Sequence, residues 1–162
     1  MYQWMMFLHA FLVVSFMLVH GASAKAAFQL KRETNRERIS AILDLSVLYM
    51  TGLHITLGLT LITGILMIFL GGMWNRVWIW LSLVLLLVLF TAMTMLAASY
   101  FTQLRKDAGL RYFDIIFPRP ALPPASPEVL KVHLSAFKPW PVALIGGGVL
   151  LLVTWLMIFQ PF

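Results

Sequence analysis

Four long stretches without one charged side chain, separated by segments that carry nearly all the charge, constrain this chain more than any other feature. They are residues 1–24, Leu45–Asn75, Val77–Leu104 and 139–162. Each supplies the roughly 20 apolar residues that cross a bilayer at about 1.5 Å per residue. Helix is the form expected, because lipid offers no partner to an unpaired backbone group. The alternation of a membrane β-barrel is missing: Leu83-Val84-Leu85-Leu86-Leu87-Val88-Leu89-Phe90 is apolar all round. Composition agrees. With 61% hydrophobic and 11% charged residues, the chain has too little polar surface to cover a water-facing globule.

The charges set an expected orientation. Lys25, Lys31, Arg32, Arg36 and Arg38 fall in the first connection. Arg105, Lys106, Arg111, Arg119, Lys131 and Lys138 fall in the third, and only Arg76 lies in the second. Eleven of twelve basic residues therefore share one side of an even-numbered bundle, which the positive-inside rule places in the cytoplasm. The expected fold is an all-α polytopic four-helix bundle in one membrane domain, N-out and C-out. Its spans are about 3–25, 41–70, 77–101 and 141–160, with cytoplasmic loops at about 26–38 and 102–139. The expected home is the inner (plasma) membrane, with the bilayer itself as first partner. The net charge of +6 follows from loop topology and does not call for nucleic acid. Ala22-Ser23-Ala24 imitates a signal-peptidase site, but no basic residue precedes the apolar stretch, so a retained first helix is expected.

Local signals refine the connections. Asn35 is suited to cap the second helix, with Glu37 in its first turn. The run Phe117-Pro118-Arg119-Pro120 through Pro124 is extended. Ser126-Pro127-Glu128 starts a short interfacial helix whose Val129, Leu130, Leu134 and Phe137 are expected to enter the headgroup region. His133 in that segment is read as solvated.

Ionisable groups at membrane depth are costly and therefore candidates for function. His9 and His20 in the first helix are eleven residues apart. They share a face, about 20° apart around the axis and roughly 16 Å along it. His54 is the remaining intramembrane imidazole. Because b-type haem takes an imidazole above and below the ring from facing helices, His9, His54 and His20 are candidate haem ligands. Folding the first hairpin about Thr34 puts His54 opposite about residue 14, between the other two. His20 and Asp44, near the inner ends of adjacent helices, form a candidate polar pair. Gly52, Thr56, Thr60 and Thr63 make a stripe of small residues roughly opposite His54, and Gly146-Gly147-Gly148 reads as a packing site. Cysteine is absent, as are the H-E-x-x-H, G-x-S-x-G and Walker patterns, so no catalytic residues or metal ligands are assigned.

The segments Leu8-His9-Ala10, Val19-His20-Gly21-Ala22-Ser23, Phe28-Gln29-Leu30-Lys31-Arg32-Glu33 and Arg38-Ile39-Ser40-Ala41-Ile42-Leu43-Asp44 resemble a family of small bacterial four-helix integral membrane proteins whose activity is unassigned. That family is loosely CopD-like and HemJ-like, and the resemblance extends over most of the chain. The early Leu8-His9 is similar to HemJ-like proteins, which implies an association with haem. Two functions are expected. The first is an accessory or assembly subunit of a larger membrane complex, without catalysis. The second is a b-type haem protein in electron transfer or haem handling.

Overall fold

A computed structural model describes every residue except 115, 116 and 162, together with the side chain of Asp114 left aside. Its elements are α1 (Tyr2–Arg32), α2 (Arg36–Gly71), α3 (Val77–Met93), a π-helical turn (Thr94–Ala98), α4 (Ser99–Ala108), β1 (Tyr112–Asp114), β2 (Phe117–Arg119), α5 (Pro127–Ala136) and α6 (Pro139–Phe159). Four helical stretches are long and apolar enough to cross a membrane: Tyr2–Arg32, Arg36–Gly71, Val77–Ala108 and Pro127–Phe159. Leu18, Leu87 and Leu151 are about 70% exposed on the outer surfaces, a distribution suited to lipid contact.

Capping chemistry sets the helix boundaries. Asn35 Oδ1 accepts from the Arg38 N–H at 3.1 Å and opens α2 with Glu37 in its first turn. Ser126 accepts from the Val129 N–H and opens α5 with Pro127 behind it. Gly72, at φ 62°, stops α2 in the left-handed region that favours glycine. The connection between α1 and α2 is three residues long and is closed by Glu33, whose carboxylate accepts from the N–H groups of Thr34 and Asn35, both at 3.0 Å. Those two bonds hold the Glu33 carboxyl below its ordinary pKa.

The helices associate as two antiparallel pairs, α1 with α2 and α3 with α6, the first having the larger interface. The pairs are joined most firmly at the basic end. There Ala27, Leu30, Ile39, Leu43, Phe101, Leu104, Ala108, Leu130 and Leu134 form the largest buried cluster. Smaller clusters follow along the bundle. Phe16, Leu89 and Leu150 lie in the middle, and Ile68, Trp78, Ile79 and Leu156 lie at the far end.

Two expectations about the third connection are corrected. After the π-helical turn the helix continues as α4 past residue 101 to Ala108, so Arg105 is a helical residue buried against α2 and not part of a solvated loop. The helix α5 buries Leu130 and Leu134 in the protein core, while Phe137 stacks on Tyr100 at 3.8 Å. These side chains find protein partners in place of headgroups. The extended run pairs back on Tyr112–Asp114 as a two-stranded hairpin, with Tyr112 opposite Arg119.

Candidate functional site

The three intramembrane histidines stand in different surroundings. His9 is held by α2: its Nδ1 lies 3.0 Å from Thr63 Oγ1. The Thr63 hydroxyl has one proton, and both its other neighbours are carbonyl oxygens, Leu59 at 2.9 Å and Thr60 at 3.0 Å. The hydroxyl donates its proton to one of these three neighbours, and the tautomer of His9 sets which. The ring fits because position 64 is glycine; a methyl there would meet His9 Cε1 at 3.1 Å.

His54 uses its own helix. Its Nδ1 is 2.6 Å from the Met50 carbonyl, to which it can only donate, so Nε2 keeps the lone pair. Its ring meets Phe90 of α3 edge to face at 5.9 Å. The small-residue stripe lies on the other side and serves α1: Gly52 admits Val19, and Thr63 holds His9. The closeness of that packing consumes the stripe inside the molecule. His54 is consequently on the exposed side of α2.

His20 stacks on Phe16, one turn earlier, at 6.2 Å. Its Nε2 would be 2.5 Å from a methyl at position 146, so Gly146 of α6 is the residue that gives the ring room. Its nitrogens bond to no other described residue. The expected His20–Asp44 pair is replaced: Asp44 binds Arg105, Nη2 to Oδ1, at 3.0 Å. Arg105 has the longer reach and more donors. It also donates to the Leu43 carbonyl at 2.7 Å and the Arg111 carbonyl at 2.5 Å, tying α4 to α2 and to the chain that leaves α4.

The hairpin register explains which histidines meet. His9 faces Thr63 and Val19 faces Gly52, so residue numbers across the interface sum to about 72. Position 54 then lies opposite about residue 18, one turn beyond the expected residue 14, because the packing register is centred near residues 35–36 and not on Thr34, the midpoint of the connection. His54 is thus nearer the level of His20 than that of His9. His20 and His54 line one groove, of about 90 Å³, with Phe16, Phe90 and Met93. Thr94 and Ala97 of the π-helical turn complete its wall. Such turns relocate side chains by one residue and recur at functional sites. His9 lines a separate cavity of about 450 Å³ farther along the bundle.

A second polar group went unnoticed in the sequence. Asp107, buried at the end of α4, accepts from Gln103 Nε2 at 3.0 Å and pairs with His133 Nδ1 at 2.5 Å. Its carbonyl accepts from the Ala125 N–H at 2.9 Å. His133 is therefore a clamp between α5 and α4, not a free surface side chain. The spacing Gln103–Asp107 at i,i+4 is the one signal that pointed there.

No protein-family profile, curated protein or solved structure matches the chain. The arrangement itself defines a class: a helical bundle whose four long apolar stretches could cross a membrane, with histidines at a groove between two helix pairs. Among the described residues no cluster of three or more histidine, cysteine, aspartate or glutamate side chains could hold a metal ion.

Proposed function

We propose that this chain is an accessory membrane subunit that works beside a larger partner, and that the groove bearing His54 is where the partner sits. One observation carries the reading. His54 is an imidazole near the middle of a span, exposed on the outside of the molecule, with its Nε2 lone pair unmatched by any described residue. An unsatisfied polar group facing hydrocarbon is costly, and a partner helix that supplies a donor removes the cost. Gly147 and Gly148, exposed on α6 with open space around them, support close approach by another helix. In this reading both termini lie outside and the basic connections lie in the cytoplasm of the inner membrane, as the distribution of Lys and Arg supports. Photo-crosslinkers at Leu57 in the groove and at Val84 on an exposed face of α3, used in native membranes, test it. A discrete adduct from position 57 that disappears in His54→Phe is expected. The same products from both positions, or a chain that crosslinks to lipid alone, contradict the proposal.

Haem is the second reading, favoured by the shared groove of His20 and His54. The pair His9 and His54 line different cavities, and the groove of about 90 Å³ is far below the roughly 300–1,000 Å³ typical of ligand pockets. As it stands the site does not fit a porphyrin. The absorption spectrum of protein purified with full haem supply decides: a Soret band lost in both His20→Ala and His54→Ala establishes haem, and a colourless protein ends that reading.

A further inference from the structure

A second cavity, larger than the groove of His20 and His54, is assigned to neither reading above. It is the space of about 450 Å³ between the two helix pairs, and it lies within the range of ligand sites. Its lining on α1 runs from Tyr2 through His9 to Met17. From residue 2 to residue 17 the helix rises about 22 Å in fifteen steps, so the space is elongated along the bundle, and it opens to the outside where Val14 and Ile158 are exposed. A long, mostly apolar space of this kind suits an extended hydrocarbon chain, whose carbon atoms pack about 4 Å from their neighbours.

Polar side chains stand along much of the space, Thr60 and Ser82 among them. Tyr2, Trp78 and Gln160 stand at the end near the chain termini, and His9 stands partway down. Val13, Met17 and Leu86 make an apolar floor. Methionine is prominent, with Met6, Met67, Met73 and Met157 also on the walls; thioether chains adapt to flexible apolar ligands. Two buried polar atoms in wall residues have no partner, Thr60 Oγ1 and Trp78 Nε1, in residues 6% and 8% exposed. Native proteins leave few such groups; neither atom is exposed to the cavity as it stands, and only a rotamer change of its own side chain would present it to a bound hydroxyl or carbonyl. His9 adds an imidazole at the wall, whose nitrogen not facing Thr63 offers either a donor or an acceptor according to the tautomer. No carboxylate, lysine or arginine lines the cavity, so a charged head is disfavoured.

We infer that this cavity binds a neutral single-chain amphiphile, its hydroxyl or carbonyl head near His9 and Trp78 and its chain running toward Met17. Native mass spectrometry of the full chain in detergent, titrated with hexadecanol, tests this. A one-to-one adduct is expected, at least tenfold weaker in Ala10→Phe and in Val13→Trp, which fill the cavity, and unchanged in Val84→Trp on an outer face. His9→Leu is expected to weaken it about tenfold, the loss of one hydrogen bond. Hexadecane binding as well as hexadecanol overturns the assignment of the head. Should the filling variants fail to fold by circular dichroism, a diazirine-bearing hexadecanol on the unsubstituted chain replaces them. Labelling concentrated on α1 between residues 9 and 17 supports the site. Absence of any adduct, or labelling spread evenly over the outer faces, overturns it.

Discussion

The two ends of the bundle are built differently. At the basic end Leu30, Leu43 and Leu104 are fully buried, 0% exposed, and the charged groups are matched, Arg105 with Asp44 and two carbonyls, Asp107 with His133 and Gln103, although the Tyr100 hydroxyl is buried there without a partner among the described residues. Toward the other end lies the cavity beside His9, where Thr60 and Trp78 keep unmatched polar atoms, while the smaller groove reaches from mid-bundle to the basic-end cluster at Ala27 and Phe101. Cohesion is concentrated where the chain makes short connections and α5 adds a layer. The region left open is where three histidines lie. Binding capacity in this molecule is bought with packing.

Substitutions can break or sharpen that contrast. The largest effect is expected for Leu104→Ala, which empties the closed core and costs about 2–5 kcal/mol, whereas Leu86→Ala beside the cavities costs about 1 kcal/mol or less. Reversible unfolding in mixed micelles measures both, and equal losses would erase the distinction. Next comes Gly146→Ala. Its methyl would overlap the His20 ring, at an expected cost of about 1–3 kcal/mol. The double variant with His20→Ala should recover most of it; additive losses would show that the ring is not the obstacle. Asp44→Asn is expected to cost under about 1 kcal/mol, because that carboxylate is mostly exposed although its partner is buried.

The smallest effect concerns Glu33. Its folded pKa is depressed by bonds from Thr34 and Asn35, so its contribution is present above the unfolded carboxyl value and is lost as pH falls through the folded one. Amide exchange at Thr34 and Asn35 should quicken on acidification below the ordinary carboxylate range. Glu33→Gln should show fast exchange already at neutral pH.

Much of the helical layout was legible because charge-free runs and the caps Asn35 and Ser126 are local signals. The buried network was not. Arg105 and Asp107 lie among loop-like charges, and what buries them is Leu43, Asp44 and His133, distant in sequence. The histidine environments depend on register, which a run of apolar residues cannot fix: a shift of one turn took His54 toward the level of His20. The room for His20 comes from Gly146, 126 positions later, and only packing reveals it.

Spin-label distances test the contrast between the two ends most directly, and the absence of native cysteine makes the labelling clean. One pair joins Lys25→Cys with Lys138→Cys at the basic end; the other joins Phe7→Cys with Ile158→Cys in the open half, all at exposed positions. The account predicts a narrow distance distribution for the first pair and a broader one for the second, narrowing when hexadecanol is added. Equal widths that do not respond to hexadecanol would contradict it.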